Sequence, residues 1–177
     1  MDWLSIKEFL KDTFKYIILI IVVLVIVIYV VGLQQIIGVS MKPTLNNGDI
    51  TILDKIRYKF TDIKRQDIVS IYNEDSKYIV KRIIGLPGEY IEYKDGNLYV
   101  DGKIIKEPYL EEIITNDFKL TDIGYEKIPE DMYFVLGDNR VDSLDSRDIK
   151  ISLINKKDIL GKVRFRIWPL NKLSNLN

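Results

Sequence analysis

The feature that most restricts this chain is the uncharged stretch from Tyr16 to Leu33, 18 residues dominated by Ile, Val and Leu. That length suits the roughly 20 residues a helix needs to cross a bilayer, and few soluble helices are apolar on every side for so long. Inside lipid a lone segment must satisfy its own backbone hydrogen bonds, so the run reads as one transmembrane helix. A buried core helix and a cleavable signal peptide are the competing readings. The run is long for the apolar part of a signal peptide, and Gln34-Gln35-Ile36-Ile37 offers no small-x-small exit, which favours an uncleaved anchor. Lys7, Lys11 and Lys15 precede the run, whereas Lys42 is the only basic residue in about the next 20 positions. The positive-inside rule therefore places the N-terminus in the cytoplasm and the rest of the chain outside. Residues 1–15 form the cytoplasmic segment, with Trp3, Ile6, Leu10 and Phe14 at near-helical period: either an interfacial helix or a solvated lead-in.

Composition removes several functions. Lys plus Arg and Asp plus Glu each number 26, so no net charge invites nucleic acid. The chain has no cysteine, which excludes disulfides, thiolate zinc sites and cysteine nucleophiles. It also has no histidine, which excludes a Ser-His-Asp triad and His-ligated catalytic zinc. A serine hydrolase built from this sequence needs another base.

Residues 16–37 read as anchor and short linker, and the 140 residues from 38 to 177 as one extracytoplasmic domain. Short β-branched and aromatic runs fill that domain: Asp49 to Leu53, Asp67 to Tyr72, Tyr78 to Ile84, Glu89 to Tyr93, Leu98 to Val100, Met132 to Leu136 and Lys162 to Ile167. Asp95-Gly96 and Asp101-Gly102 separate such runs as hairpin turns. The expected fold is mainly β: an antiparallel β-rich domain behind one N-terminal transmembrane helix. Between Lys106 and Asp131 eight acidic residues stand against three lysines without clear periodicity, which reads as a solvated surface excursion.

Three segments carry candidate chemistry. Ser40-Met41-Lys42-Pro43-Thr44-Leu45 sets a serine in a polar break seven residues past Leu33, within about 25 Å of the membrane even if fully extended. With histidine absent, lysine is the obvious base for that serine, provided burial keeps it neutral. Lys42 sits in a turn with no means of losing its proton. Lys81, in Tyr78-Ile79-Val80-Lys81-Arg82-Ile83-Ile84, shares a strand face with Ile79 and Ile83; otherwise it is a charged guard on an edge strand. The third segment, Gly137-Asp138-Asn139-Arg140 through Ser143, Asp145 and Arg147 to Asp148, offers a support network, a calcium loop or a solvated loop. It lacks the Gly at position 6 and the terminal Glu of an EF-hand.

In this order, the anchor, Ser40-Met41-Lys42-Pro43-Thr44-Leu45, Gly48-Asp49-Ile50, Lys81-Arg82-Ile83-Ile84-Gly85-Leu86-Pro87-Gly88 and Gly137-Asp138-Asn139-Arg140 through Arg147 resemble the bacterial type I signal peptidases, membrane-anchored Ser-Lys endopeptidases. The resemblance implies Ser40 as nucleophile, Lys81 as general base and Ser143 as the hydroxyl that orients the lysine. It implies ion pairs of Asp138, Asp145 and Arg147 holding their loop against the lysine strand. The chain departs at Val141-Asp142, where the family typically reads Asp-Asn, and Gly38 stands where some members place an oxyanion hydroxyl. The oxyanion hole then falls mainly to the backbone N–H of Ser40. The implied partners are secreted preproteins and the lipid bilayer, with no cofactor, no metal and no nucleic acid, and with the enzyme a monomer. Small substrate side chains are implied at the first and third positions before the cut. Trp168 reads as a membrane-interface contact or a core tryptophan at a strand end.

Two readings from other classes accompany this one. A membrane-tethered self-cleaving Ser-Lys regulator needs an internal cleavage loop and a partner domain, neither visible in the sequence. A non-catalytic anchored β-module would use residues 137–148 to bind calcium or a protein.

Overall fold

The computed structural model describes residues 3–73, 77–110 and 115–176. Helix α1 (Trp3–Tyr29) runs without a break from the lysine-bearing lead-in into the apolar stretch. Within Ile6–Tyr29 an 18-residue window has a mean hydropathy of 2.4, and none of that window is buried in the protein. A core helix cannot present that surface, whereas a helix covered by lipid can.

The helix ends at Tyr29, short of the end of the apolar run. Val31–Gln35 instead form strand β1, which pairs with β2 (Ile50–Asp54) from Val31↔Asp54 to Gln35↔Ile50. The segment read as anchor and linker thus divides, because a continuous apolar run does not by itself distinguish helix from buried strand. Lys55 N bonds to Val30 O at 2.9 Å and Lys55 Nζ to Ile28 O at 3.0 Å, so the start of the sheet engages the last turn of the helix.

The remaining elements are a short helix α2 (Arg57–Phe60), then β3 (Ile68–Asn73), β4 (Lys77–Gly85), β5 (Ile91–Lys94), β6 (Asn97–Val100), β7 (Lys103–Ile105), β8 (Phe118–Lys119), β9 (Met132–Leu136), β10 (Ile154–Asn155), β11 (Ile159–Trp168) and β12 (Ser174–Asn175). The pairings among them are antiparallel. The main sheet has the order β1-β2-β11-β3-β4-β9-β10, with β12 on β11, and a smaller sheet has the order β7-β6-β5-β8. The expected antiparallel β domain behind an apolar helix is therefore what forms. Both proposed hairpin turns are present: Asp95-Gly96 has φ of 50° and 74°, and Asp101-Gly102 has 48° and 77°. Positive φ at both central residues matches the strand twist and explains the glycines.

Alternation along β4 separates two cores. Ile79 and Ile83 pack in one with Val69 and Ile71, while Val80 packs in another with Met41, Leu45 and Ile68. A third core joins the small sheet to β9 through Tyr93, Phe118, Phe134 and Leu136.

The segment from 106 to 131 differs from the solvated excursion expected of it. Phe118, Leu120, Ile123 and Ile128 are buried in that third core, and Phe118 stacks on Phe134 with centroids 5.4 Å apart. Its acidic residues alternate with these anchors and dominate the composition, which hides the packing from a charge count. Residues 111–114 lie outside the described residues. Trp168 is also not a core tryptophan: it is 51% exposed at the end of β11.

Candidate active site

Ser40 lies in the loop between β1 and β2. Ile36 N bonds to Asp49 O at 2.8 Å and Gly48 N to Ile36 O at 2.9 Å, closing the loop at its neck. Gly38 takes a φ of +92° and its N–H donates to Asn47 Oδ1 at 2.9 Å. Met41 and Leu45 on either side of the turn are fully buried, each burial contributing roughly 1.5–3 kcal/mol. Arg166 reaches from β11 to Thr44 O at 3.0 Å and Asp49 Oδ2 at 3.1 Å. The serine is thus half-buried on a loop fixed at both ends, while Lys42 is exposed.

Lys81 sits in the middle of β4, opposite Val69 of β3, and is 3% exposed. Its Nζ donates to Ser143 Oγ at 3.1 Å. Burial is the largest influence on its ammonium group and lowers its pKa from 10.5 to about 8; Asp145 and Asp138 oppose that shift and Arg147 adds to it. A lysine in that range is a usable base near neutral pH.

The loop 137–148 follows β9 and returns beneath the serine. Asn139 N donates to Ser40 O at 2.9 Å and Asn139 Nδ2 to Val39 O at 3.2 Å, so the two loops are sewn together. A Cβ at Gly137 would collide with Ser40 O and with Ser143 Oγ, so only glycine permits this approach. Asp138 receives a two-pronged bond from Arg82, with Nε at 2.8 Å and Nη2 at 2.6 Å, which holds the loop against β4. The other expected pair is different. Arg147 bonds to Asp145 at 2.8 and 2.9 Å within the loop, and Asp145 Oδ2 turns inward to accept from Gly137 N at 3.1 Å. This pair braces the loop internally instead of tying it to the strand.

Two contributors were missed in the sequence. Arg82, named in the sequence only as part of the Lys81 strand motif, is the cation that carries Asp138. Arg140 joins Gly137 O at 3.0 Å to Glu107 at 2.6 Å and Tyr93 Oη at 2.8 Å, linking the site loop to the segment after β7. The only sequence signal was charge, and nothing along the chain pairs residues 33 positions apart. Among the described residues no group of acidic side chains is placed to hold a metal ion, and Asp138 and Asp145 are already engaged by arginines.

Ser40 and Lys81 line one cavity of about 1120 Å³, with Ile36, Met41, Leu53 and Val80 among its apolar walls. A hydroxyl and a desolvated lysine on one cleft, with the lysine bonded to a second hydroxyl, is an arrangement suited to acyl transfer. The family model described as signal peptidase, peptidase S26, matches residues 7–168. The chain belongs to this signal peptidase family. It is similar to signal peptidase I V of Bacillus subtilis, 44% identical over 71% of this chain and 79% of the relative. It is also similar to signal peptidase IB of Staphylococcus aureus, 34% identical over 96% of this chain and 94% of the relative. Among solved structures a signal peptidase I from Enterococcus faecalis is similar at 36% identity and a TM-score of 0.53, over 58% of this chain and 97% of that one. As a member of peptidase family S26 the protein is a serine endopeptidase, and its helix α1 is long and apolar enough to cross a membrane, which fits a membrane-anchored enzyme.

Proposed function

We propose that the protein removes signal peptides from secreted preproteins at the outer membrane surface, with Ser40 as nucleophile and Lys81 as general base. Neutral Lys81 takes the proton of Ser40, Oγ attacks the scissile carbonyl, and the backbone N–H of Ser40 stabilises the oxyanion. The lysine returns the proton to the leaving amine and then activates water to release the acyl group. Ser143 orients the lysine. Asp138, Asp145 and Arg147 keep the Ser143 loop in place.

The observation that carries this reading is Lys81: a strand lysine buried in a cavity wall, with its pKa lowered to about 8, beside the serine loop. The anchor supports the substrate assignment, because a cleavage site just beyond a membrane-inserted signal segment is brought to the enzyme by shared location. The lysines before the span support a cytoplasmic N-terminus and an extracytoplasmic catalytic domain. Ser40, Lys81 and Ser143 come from one chain, which supports a monomeric enzyme. The test is cleavage of a preprotein by detergent-solubilised wild type, Ser40→Ala and Lys81→Ala. Both folded variants lose activity; full cleavage by either overturns the dyad.

A further inference from the structure

Among the described residues four buried side-chain polar atoms have no hydrogen-bond partner, and two of them, Ser70 Oγ and Gln34 Oε1, belong to residues lining the cavity that holds Ser40 and Lys81. We propose that Ser70 is a specificity-determining residue that reads a hydroxyl on the substrate, favouring serine or threonine at the third residue before the cleaved bond. The inference rests on Ser40 being the nucleophile for an extended peptide.

Ser70 is 1% exposed in the middle of β3. Around it the cavity wall is apolar, with Ile36, Met41, Leu53, Val80 and Leu160. A hydroxyl left unpaired in such a wall weakens the fold, and an apolar β-branched residue would serve the strand better. The position gains from a hydroxyl when a ligand supplies the partner, because a group held dry and unpaired discriminates strongly between ligands that can and cannot bond to it.

Strand register indicates which substrate residue is read. Ser70 pairs with Val80, one step from the Val69–Lys81 pair. Its strand lies on the side of β4 away from β9 and the Ser143 loop. The residue whose carbonyl is attacked must abut Ser40. An extended chain turns every second side chain to the same face, about 6.5–7 Å apart, so the next side chain facing the same wall is the third. A hydroxyl there can donate to, and accept from, Ser70 Oγ.

The experiment compares full-length wild type and Ser70→Ala in detergent on peptides spanning a cleavage region. The peptides carry serine or alanine, and threonine or valine, at the third residue before the cut, with the same exchanges at the second residue as control. The readout is the ratio of kcat/KM values for the hydroxyl and methyl members of each pair, in which any loss of active enzyme cancels. The expected result is a ratio at the third residue about fivefold higher in wild type than in Ser70→Ala, with no such difference at the second. Equal ratios in the two enzymes, or an equal change at the second residue, overturn the proposal and leave the endopeptidase reading standing. Failure of wild type to cleave any of the peptides or a preprotein overturns both.

Discussion

Lys81 and Ser143 are 62 residues apart in the chain, yet the lysine Nζ donates to the serine Oγ at 3.1 Å from inside a wall that leaves the lysine 3% exposed. An ammonium group held there costs stability whenever it is charged. Lys81→Met should therefore abolish cleavage and at the same time stabilise the fold at pH 7 by about 1–3 kcal/mol. The sign follows from proton binding. Because the folded pKa is depressed from 10.5 to about 8, the unfolded chain holds the proton through that window and wild-type stability rises with pH across it. Thermal unfolding of both proteins at pH 7 and pH 10 checks this: the advantage of the methionine variant narrows at the higher pH.

Gly137 is where the two loops touch. Gly137→Ala inserts a methyl group against Ser40 O and Ser143 Oγ, pushing the Ser40 loop and the Ser143 side chain apart. Cleavage should fall by about 100-fold or more, since displacements near 1 Å at a reacting centre have that effect. Steady-state kinetics on a preprotein, with circular dichroism to verify folding, measures it.

Arg82 and Asp138 form a pair in which both side chains are almost completely buried. Asp138→Ala leaves the guanidinium without its counter-charge, and the expected loss is about 3–5 kcal/mol of stability. Chemical denaturation reads this directly, and replacing both residues together should recover part of the loss.

The segment from 106 to 131 is core as well as surface. Phe118→Ala should cost about 3–5 kcal/mol, as expected for an aromatic lost from a packed cluster, whereas an exposed acidic neighbour such as Glu126→Gln should change stability by less than about 0.5 kcal/mol. Melting temperatures of the two variants separate a packed element from a solvated insert.

Much of the architecture was legible because the chain states it locally. Met132 to Leu136 and the hairpins at Asp95-Gly96 and Asp101-Gly102 carry their geometry in residue type, and the burial of Lys81 follows from its position among Ile79, Val80 and Ile83. Strand β1 was hidden because its Val31 and Leu33 continue an apolar run that also makes a good helix. Strands β7, β8, β10 and β12 have two or three residues each, too few for a period to show. The Arg82–Asp138 and Arg140–Glu107 contacts were hidden for another reason: they join residues 56 and 33 positions apart, and sequence charge does not choose partners.

The central claim is that Lys81 works as a neutral base, and the pH dependence of preprotein cleavage tests it most directly. In the pH profile of kcat/KM, which reports groups of the free enzyme, activity should rise with an apparent pKa of about 8 and level off above it, as the depressed lysine releases its proton. A rise that begins only near 10.5, the ordinary value for lysine, would contradict the account.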